Sequence, residues 1–286
     1  MKASSVYRAE ARQALEGRWL EAALATLVFV LLVVAANGGS SLSSLFSGVE
    51  TFKLIGITLV GTSVSMIGAF FVVMPLTVGQ EAVYLEVIRG KQEKIMQRMF
   101  SIGYSNLGRA IVFVLLISLI VVAITVVWVF LLAIVVVAVG WDVSSLGADL
   151  PGSLVLVTLL SMVFYIWAIV YVGYRYGMTS FIILDKPELS GVECMRESRR
   201  LMKGKCWKLF CLDLSFIGWL LLCIFFIPLF FVGPYQQAAH AAFYLDLIKD
   251  EAKTEDESLI TVEITVEVDK DAEPNADAEA SDFEKI

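Results

Sequence analysis

The longest apolar stretch of this chain constrains its fold more than any other feature, because no residue from 111 to 139 carries a charge. A run of about 18 or more apolar residues is too long for an ordinary core helix and is typical of a membrane span. Only 18 % of the 286 residues are charged, whereas a soluble globular domain has about 25 %. We therefore expect an integral membrane protein, and exclude a soluble enzyme, a secreted disulfide scaffold and a nucleic-acid-binding domain.

Five apolar stretches have the length and composition of membrane spans, and a sixth is weaker. The sixth, residues 229–248, contains Pro234 and His240, so an interfacial helix stays open as an alternative. The fold class that we expect is all-α, a polytopic transmembrane helical bundle of about six spans, with about five as the alternative. The five plain stretches are residues 19–36, 54–78, 110–139, 153–174 and 208–227.

The distribution of basic residues predicts the orientation of these spans. Segments 1–18, 79–109 and 175–208 together carry 17 Lys and Arg, whereas loops 37–53 and 140–152 carry one. Since Lys and Arg are retained on the inner side of a membrane, we expect a multi-pass protein of the bacterial cytoplasmic (inner) membrane with a cytoplasmic N-terminus. A sixth, returning span would place the C-terminus in the cytoplasm as well.

The acidic charge of the chain is concentrated at its C-terminus. From Lys249 onward there are 14 Asp and Glu against 4 Lys, whereas the first 248 residues have a net charge of +3. We expect residues 1–249 to form the transmembrane domain and residues 250–286 to form an acidic, mostly disordered cytoplasmic tail. Within it, residues 260–268 alternate with period two, which favours one β-strand that would pair with a protein partner.

Two parts of the chain resemble each other. Residues 84–89 match residues 244–249 position by position, and residues 12–19 are similar to residues 199–207. These matches are consistent with an internal repeat, in which a basic helix, a glycine and a tryptophan lead into a pair of spans.

The segment before the predicted fifth span is expected to form a cytoplasmic amphipathic helix. Ser190 and Glu193 fit a capping box at its start. The basic residues that follow favour contact with membrane lipids of the anionic inner leaflet, although they would also serve simply to enforce orientation. The candidate lipid-contacting residues are Arg196, Arg199, Arg200, Lys203 and Lys205.

Polar residues inside a span are expensive and indicate either a structural pair or a functional site. Asp213 lies in the predicted fifth span, and we expect it to pair with Arg109 or Arg175. Gln236 and His240 lie on the predicted sixth span. These five residues are the candidate intramembrane polar site, with a structural ion pair favoured over proton coupling.

The sequence lacks the patterns on which catalysis and metal binding usually rest. It contains one histidine, and no HExxH, GxSxG or P-loop pattern occurs. Its four cysteines form no CxxC pair, so there is no zinc-binding arrangement. We expect no catalytic residue, no cofactor and no metal, and predict that the protein is not an enzyme.

Several of these segments together resemble a known family. Residues 12–19, 197–204 and 212–219, with the pairs at 234–235 and 243–244, resemble the bacterial domain-of-unknown-function 975 (DUF975) integral membrane proteins. The resemblance covers about residues 1–249 and implies a polytopic protein of the bacterial inner membrane. It also implies a more distant similarity to membrane domains beside some glycerophosphodiesterases, whose catalytic residues this chain lacks. The family brings no established activity.

Two functions follow as expectations. The first is a non-catalytic scaffold or regulator of the cell envelope, and the alternative is a small-solute or lipid permease or exporter with a polar site between spans five and six. A permease needs a polar cavity on which Asp213 and His240 converge from different helices, as in transporters with broken helices. A scaffold would have a solid apolar interior.

Overall fold

The computed structural model describes residues 2–45, 68–91, 93–138, 152–222 and 229–272, together with Val60, Ser63 and Ser65. The described residues form helices and no strand, so the prediction of an all-α fold is confirmed for them. In chain order the elements are α1 (Ser4–Leu15), α2 (Trp19–Leu45), a π-helix (Ala69–Val73), α3 (Met74–Ile88), α4 (Ile95–Ser105), α5 (Leu107–Ala138), α6 (Gly152–Tyr176), α7 (Thr179–Asp185), α8 (Gly191–Leu201), α9 (Cys206–Leu214), α10 (Ile217–Leu222) and α11 (Leu229–Ala272).

Four helical stretches among the described residues are long and apolar enough to cross a membrane, which indicates a membrane-embedded protein. Three of them fall on the predicted first, third and fourth spans. The other, Phe70–Ile88, lies further along the chain than the predicted second span at residues 54–78, of which 54–59, 61–62, 64 and 66–67 lie outside the described residues. The four stretches are Trp19–Ala36, Phe70–Ile88, Leu107–Val137 and Val155–Asp185.

The predicted fifth and sixth spans have a different form. The described part of residues 208–227 consists of most of α9 and the short α10, with a turn at Ser215 and Phe216 between them. The predicted sixth span lies in the first part of α11, where Gln236 and His240 lower the hydropathy. By length and composition, the described helices therefore give four candidate spans.

The C-terminal segment differs from its prediction. The chain divides into two compact units at Tyr244 and Leu245, and α11 continues without a break to Ala272. The predicted β-strand at residues 260–268 is wrong, because these residues are part of this helix. A strand without a neighbour leaves its backbone N–H and C=O groups unpaired, whereas a helix pairs them within the segment. Residues 273–286 lie outside the described residues.

The packed part of residues 2–244 is built around α3. Tyr84 on this helix is fully buried, and α3 and α4 cross closely at Gly103. A Cβ atom at Gly103 would lie 2.5 Å from the carbonyl oxygen of Pro75, so the crossing requires glycine. The ring of Phe181 stacks on the ring of Tyr244 at 5.4 Å between centroids, which adds α7 and α11 to the same core.

Helices α5 and α6 are mostly exposed in the isolated chain. They contact each other through Trp128 and Tyr165, whose rings stack at 4.6 Å. The Thr125 hydroxyl lies 3.1 Å from the Tyr165 hydroxyl. Large apolar side chains such as Leu119 are about two-thirds exposed. An apolar surface of this extent is unfavourable in water and is typical of helices that face lipid.

The repeated sequence pattern has the same local backbone geometry in both copies. Gly17 follows α1 with a φ of 79°, and Gly204 follows α8 with a φ of 74°. Positive φ is readily adopted only by glycine, so a left-handed glycine two or three residues after each amphipathic helix lets the chain enter the next helix. Residues 84–89 of the other repeated pair, however, lie at the end of α3 rather than after it.

Candidate functional site

A hydrogen-bonded cluster joins α9 and α11. Oδ1 of Asp213 lies 2.6 Å from Nε2 of His240. The same oxygen accepts a hydrogen bond of 2.9 Å from the side-chain amide of Gln236. The Tyr174 hydroxyl, on α6, is a further hydrogen-bonding neighbour of the carboxylate. The structure therefore brings together three of the five residues predicted to form the intramembrane polar site.

The local backbone explains why this cluster forms. Asp213 is the last residue but one of α9, and its carbonyl accepts a bond of 2.9 Å from the N–H of Phe216 in the following turn. Phe216 is fully buried and packs edge-on against Tyr235. This contact fixes the end of α9 against α11. Gln236 and His240 are four residues apart on α11, so both face the same carboxylate.

A cavity of about 430 Å³ lies beside the cluster. Its volume is in the range of small-molecule sites, about 300–1,000 Å³. Its lining contains both polar residues and apolar residues, and the apolar ones include Phe113 on α5, Val170 on α6 and Leu209 on α9. We call it the His240 cavity, and its polar lining residues are Thr77, Glu81, Tyr174, Tyr176, Ser180, Gln237 and His240.

Glu81 is a component of the cavity that sequence reasoning missed. It lies on α3, within hydrogen-bonding range of the Ser180 hydroxyl and close enough to His240 for their charges to interact. A carboxylate within an apolar helix could have indicated Glu81 from the sequence. It was missed because the predicted second span ends at residue 78, which places Glu81 in a loop.

The cavity lining thus contains the imidazole of His240 and the carboxylate of Glu81, and Asp213 is linked to it through its bond to His240. His240 bonds to Asp213 and interacts with Glu81. Among the residues that the structure describes, no three His, Cys, Asp or Glu side chains are placed to hold a metal ion.

The expected pairing of Asp213 with Arg109 or Arg175 is wrong, because both arginines are engaged elsewhere. Arg109 donates to the carbonyl of Lys186 at 3.2 Å and to the side chain of Asn106. Arg175 donates to the Tyr171 hydroxyl and lies over the Tyr171 ring at 5.6 Å. The Asp213 carboxylate instead has the side chains of His240 and Gln236 as its hydrogen-bond partners.

Helix α8 begins as predicted. The Ser190 side chain accepts from the N–H of Glu193, and the Glu193 carboxylate accepts from the N–H of Ser190, which completes the capping box. Further along, the carboxylate of Glu197 pairs with Arg200 and Lys186 at 2.8 Å and 2.7 Å. The hydrogen bond from Arg200 makes the largest contribution to lowering the pKa of Glu197 to about 2, and the hydrogen bond and charge of Lys186 add to it.

The five candidate lipid-contacting residues separate into different environments. Arg200 is neutralised by Glu197, and Arg196 is exposed near Glu193. Lys205 is half-buried in the loop after α8. Arg199 and Lys203, in contrast, line a second cavity together with Arg175. Two of the five candidates therefore lie together at one cavity, and the contact of all five with lipid stays a prediction.

Comparison with known proteins identifies one family. The model of a family described as "Protein of unknown function (DUF975)" matches residues 1–251. This match confirms the resemblance that the sequence motifs indicated. Neither the curated proteins nor the solved structures contain a match to the chain.

Proposed function

The chain belongs to the DUF975 family, whose function is unknown, and we propose that it is a permease or exporter for a small polar or amphiphilic solute that binds in the His240 cavity. The observation that carries this proposal is the convergence of Asp213 and His240, from α9 and α11, beside a cavity with both polar and apolar lining residues. A scaffold has no need of such a cavity. Polar groups in a membrane interior are costly and are retained where they serve a site.

The proposed topology has six spans in a bacterial cytoplasmic membrane, with both termini in the cytoplasm. Helices α9 and α10 would form a broken fifth span, and the first part of α11 would form the sixth. The amphipathic helices α1, α4 and α8 would then lie at the cytoplasmic surface, where the basic residues are concentrated. Broken helices that hold polar groups are a common feature of transporter sites.

The positions of Glu81 and Asp213 along their helices support this topology. Glu81 is seven residues before the end of α3, and Asp213 is seven residues after the start of α9. At 1.5 Å per residue, both would lie about 10 Å from the cytoplasmic ends of their helices. Antiparallel spans would therefore bring the two carboxylates to one depth, which a binding site requires.

We propose proton coupling through His240. A proton on its imidazole would compensate the charge of Asp213, and its loss would leave the cavity more negative. Binding of a cationic or polar solute and binding of a proton would then compete. The proposed function is non-enzymatic, which is supported by the absence of catalytic motifs from the sequence.

A first experiment tests whether water reaches the cavity. Gly173 lines it, and a Cβ atom at this position would meet no other atom within 4 Å, so Gly173→Cys should be tolerated in a chain whose native cysteines are replaced. We expect this cysteine to react with a charged, membrane-impermeant thiosulfonate in reconstituted vesicles. Leu160→Cys is the matched control, because Leu160 lies on the same helix and is exposed outside the cavity. Equal protection of both cysteines would contradict a water-accessible site.

A second experiment measures transport. Proteoliposomes that contain a pH-sensitive dye are exposed, under an imposed proton gradient, to a panel of amino acids, sugars, polyamines and sugar phosphates. We expect at least one solute to accelerate proton movement, and Asp213→Asn and Glu81→Gln to abolish that acceleration. Glu16→Gln, which changes an exposed carboxylate of the same type, is expected to behave as the native chain. Solute-independent fluxes that are equal in all four proteins would contradict the proposal.

A scaffold or regulator is the second candidate, and the acidic C-terminal segment favours it. Residues 249–286 carry 14 acidic side chains, which suit a basic protein partner. The test is capture of partners by the full chain and by a chain that lacks residues 254–286. An unchanged set of partners would contradict a role for this segment.

A further inference from the structure

A second cavity of about 420 Å³ lies where the end of α6 meets the loop after α8. It is separate from the His240 cavity, because Tyr171 and Arg175 line the second cavity, whereas Tyr174 on the same helix lines the His240 cavity. We call it the Arg199 pocket. Six of its lining residues carry the argument: Tyr171, Arg175, Arg199, Lys203, Gly204 and Trp207.

The Arg199 pocket has an uncompensated positive charge. Three of its residues are basic, and no carboxylate is among its lining residues. The acidic side chain nearest in sequence, Glu197, is already paired with Arg200 and Lys186. In the part of the chain that the structure describes, Arg199 and Lys203 make no ion pair. Like charges that are held together repel one another, so the arrangement favours an anion between them.

The backbone holds these charges in place. The Ser198 hydroxyl donates a hydrogen bond of 3.3 Å to the carbonyl of Arg175, which fastens α8 to the end of α6. The left-handed Gly204 then reverses the chain, so that Lys203 and Trp207 lie on the same cavity. The basic groups therefore come from two helices and converge on one space.

Exposed aromatic residues lie at and next to this pocket, which favours a position beside lipid. Trp207 is 71 % exposed, and its ring stacks on Phe210 at 5.1 Å. Trp167, one turn before Tyr171 on α6, is also exposed and stacks on the Tyr171 ring. Tryptophan and tyrosine are enriched at the headgroup layer of membranes. The basic groups thus lie next to an apolar surface that acyl chains can cover.

We propose that the Arg199 pocket binds the phosphate of an anionic phospholipid headgroup, with the acyl chains along the exposed face of α6. Guanidinium groups bind phosphate oxygens through charge-assisted hydrogen bonds, and Lys203 contributes a third charge. The pocket lies outside the proposed transport site, so this binding does not depend on the proposed function.

The test is titration of the detergent-solubilised full chain with phosphatidylglycerol, with the bound lipid counted by native mass spectrometry. The native chain should bind one phosphatidylglycerol more tightly than phosphatidylcholine of the same chain length. Arg199→Gln with Lys203→Gln should weaken phosphatidylglycerol binding by about 25-fold, since one basic residue near anionic lipid is worth about fivefold in affinity. The control, Arg12→Gln with Lys208→Gln, likewise removes one arginine and one lysine, from exposed positions outside the pocket, and should leave binding unchanged.

Two further arms make the result decisive. Arg199→Lys with Lys203→Arg retains the charge and should retain most of the preference, which separates loss of charge from loss of folding. Inorganic phosphate at millimolar concentration should not displace the lipid, because it lacks the acyl chains. Equal weakening by both charge-removing pairs, equal binding of both lipids, or displacement by inorganic phosphate would each overturn the proposal.

Discussion

The α5–α6 hairpin and the packed helices around α3 are both apolar, but they use their apolar surface in opposite ways. The candidate span of α5 has a mean hydropathy of 3.3 and is 6 % buried inside the chain. The candidate span Phe70–Ile88, which includes all of α3, has a mean hydropathy of only 1.4 but is 56 % buried. In a soluble protein the more apolar helix would be the more buried one. The reversed order is expected when lipid surrounds the hairpin, because lipid is as apolar as leucine.

The polar groups follow the same division. Glu86 on α3 is buried and is held by Arg98 and Lys91 at 2.6 Å and 2.9 Å. Glu81 lies on the same helix, whereas residues 111–137 of α5 contain no ionisable side chain. A charge that must lie within a membrane protein is less costly where protein groups can bond to it. The less apolar helices therefore form the interior and hold the candidate site.

The largest expected effect distinguishes the two regions by the same substitution. Leu76→Ala on α3 removes a side chain that is fully buried, and should lower the free energy of unfolding by about 2–5 kcal/mol. Leu119→Ala on α5 removes one that is 64 % exposed, and should cost less than about 1 kcal/mol since lipid replaces the lost contacts. The measurement is unfolding in mixed micelles. Equal losses would mean that Leu119 is covered by protein.

A smaller effect is expected from added volume at a helix crossing. Gly103→Ala places a Cβ atom 2.5 Å from the carbonyl oxygen of Pro75, and the backbone of α3 or α4 must move. We expect a loss of about 1–3 kcal/mol in the free energy of unfolding. Gly108→Ala, at the start of α5, meets no atom within 4 Å and should leave stability unchanged or slightly greater. A neutral Gly103→Ala would show that the two helices are not in close contact.

The sequence predicts much of this comparison but not all of it. The apolar stretches of α2, α5 and α6 are recognisable because lipid-facing helices carry no charge over about 18 residues. The meeting of Asp213 with His240 and Gln236 is also within reach, since polar groups in apolar segments must find one another. The capping box of α8 is predicted from Ser190 and Glu193 alone, because its partners are local.

The errors have a common cause, which is that hydropathy marks lipid contact better than it marks helix boundaries. The predicted second span ends before Glu81, so a carboxylate of the His240 cavity is missed. Arg109 and Arg175 match Asp213 by charge, but which side chains meet depends on helix packing. Period-two alternation at residues 260–268 predicts a strand, whereas the segment pairs its backbone groups within a helix.

The smallest expected effect concerns the pH dependence of the packed region. Hydrogen bonds from Arg200 and Lys186 lower the pKa of Glu197 from 4.5 to about 2. Ionised Glu197 is therefore more favourable in the folded chain than in the unfolded chain. The resulting stabilisation of the fold is present above about pH 4.5 and is lost as the pH falls towards 2. Because Arg200 is partly exposed, we expect Glu197→Gln to cost about 1 kcal/mol at pH 7.

The measurement is unfolding in non-ionic detergent at pH 7, 5 and 3, with the native chain beside each variant. The difference between the native chain and Glu197→Gln should shrink between pH 5 and pH 3, while Glu16→Gln, at an exposed position, should track the native chain throughout. Residues 111–137 have no group that titrates in this range, so this part of α5 contributes nothing to the change with pH. A difference that is constant with pH would mean that Glu197 acts by packing alone, and that its ion pairs do not contribute to the contrast between the two regions.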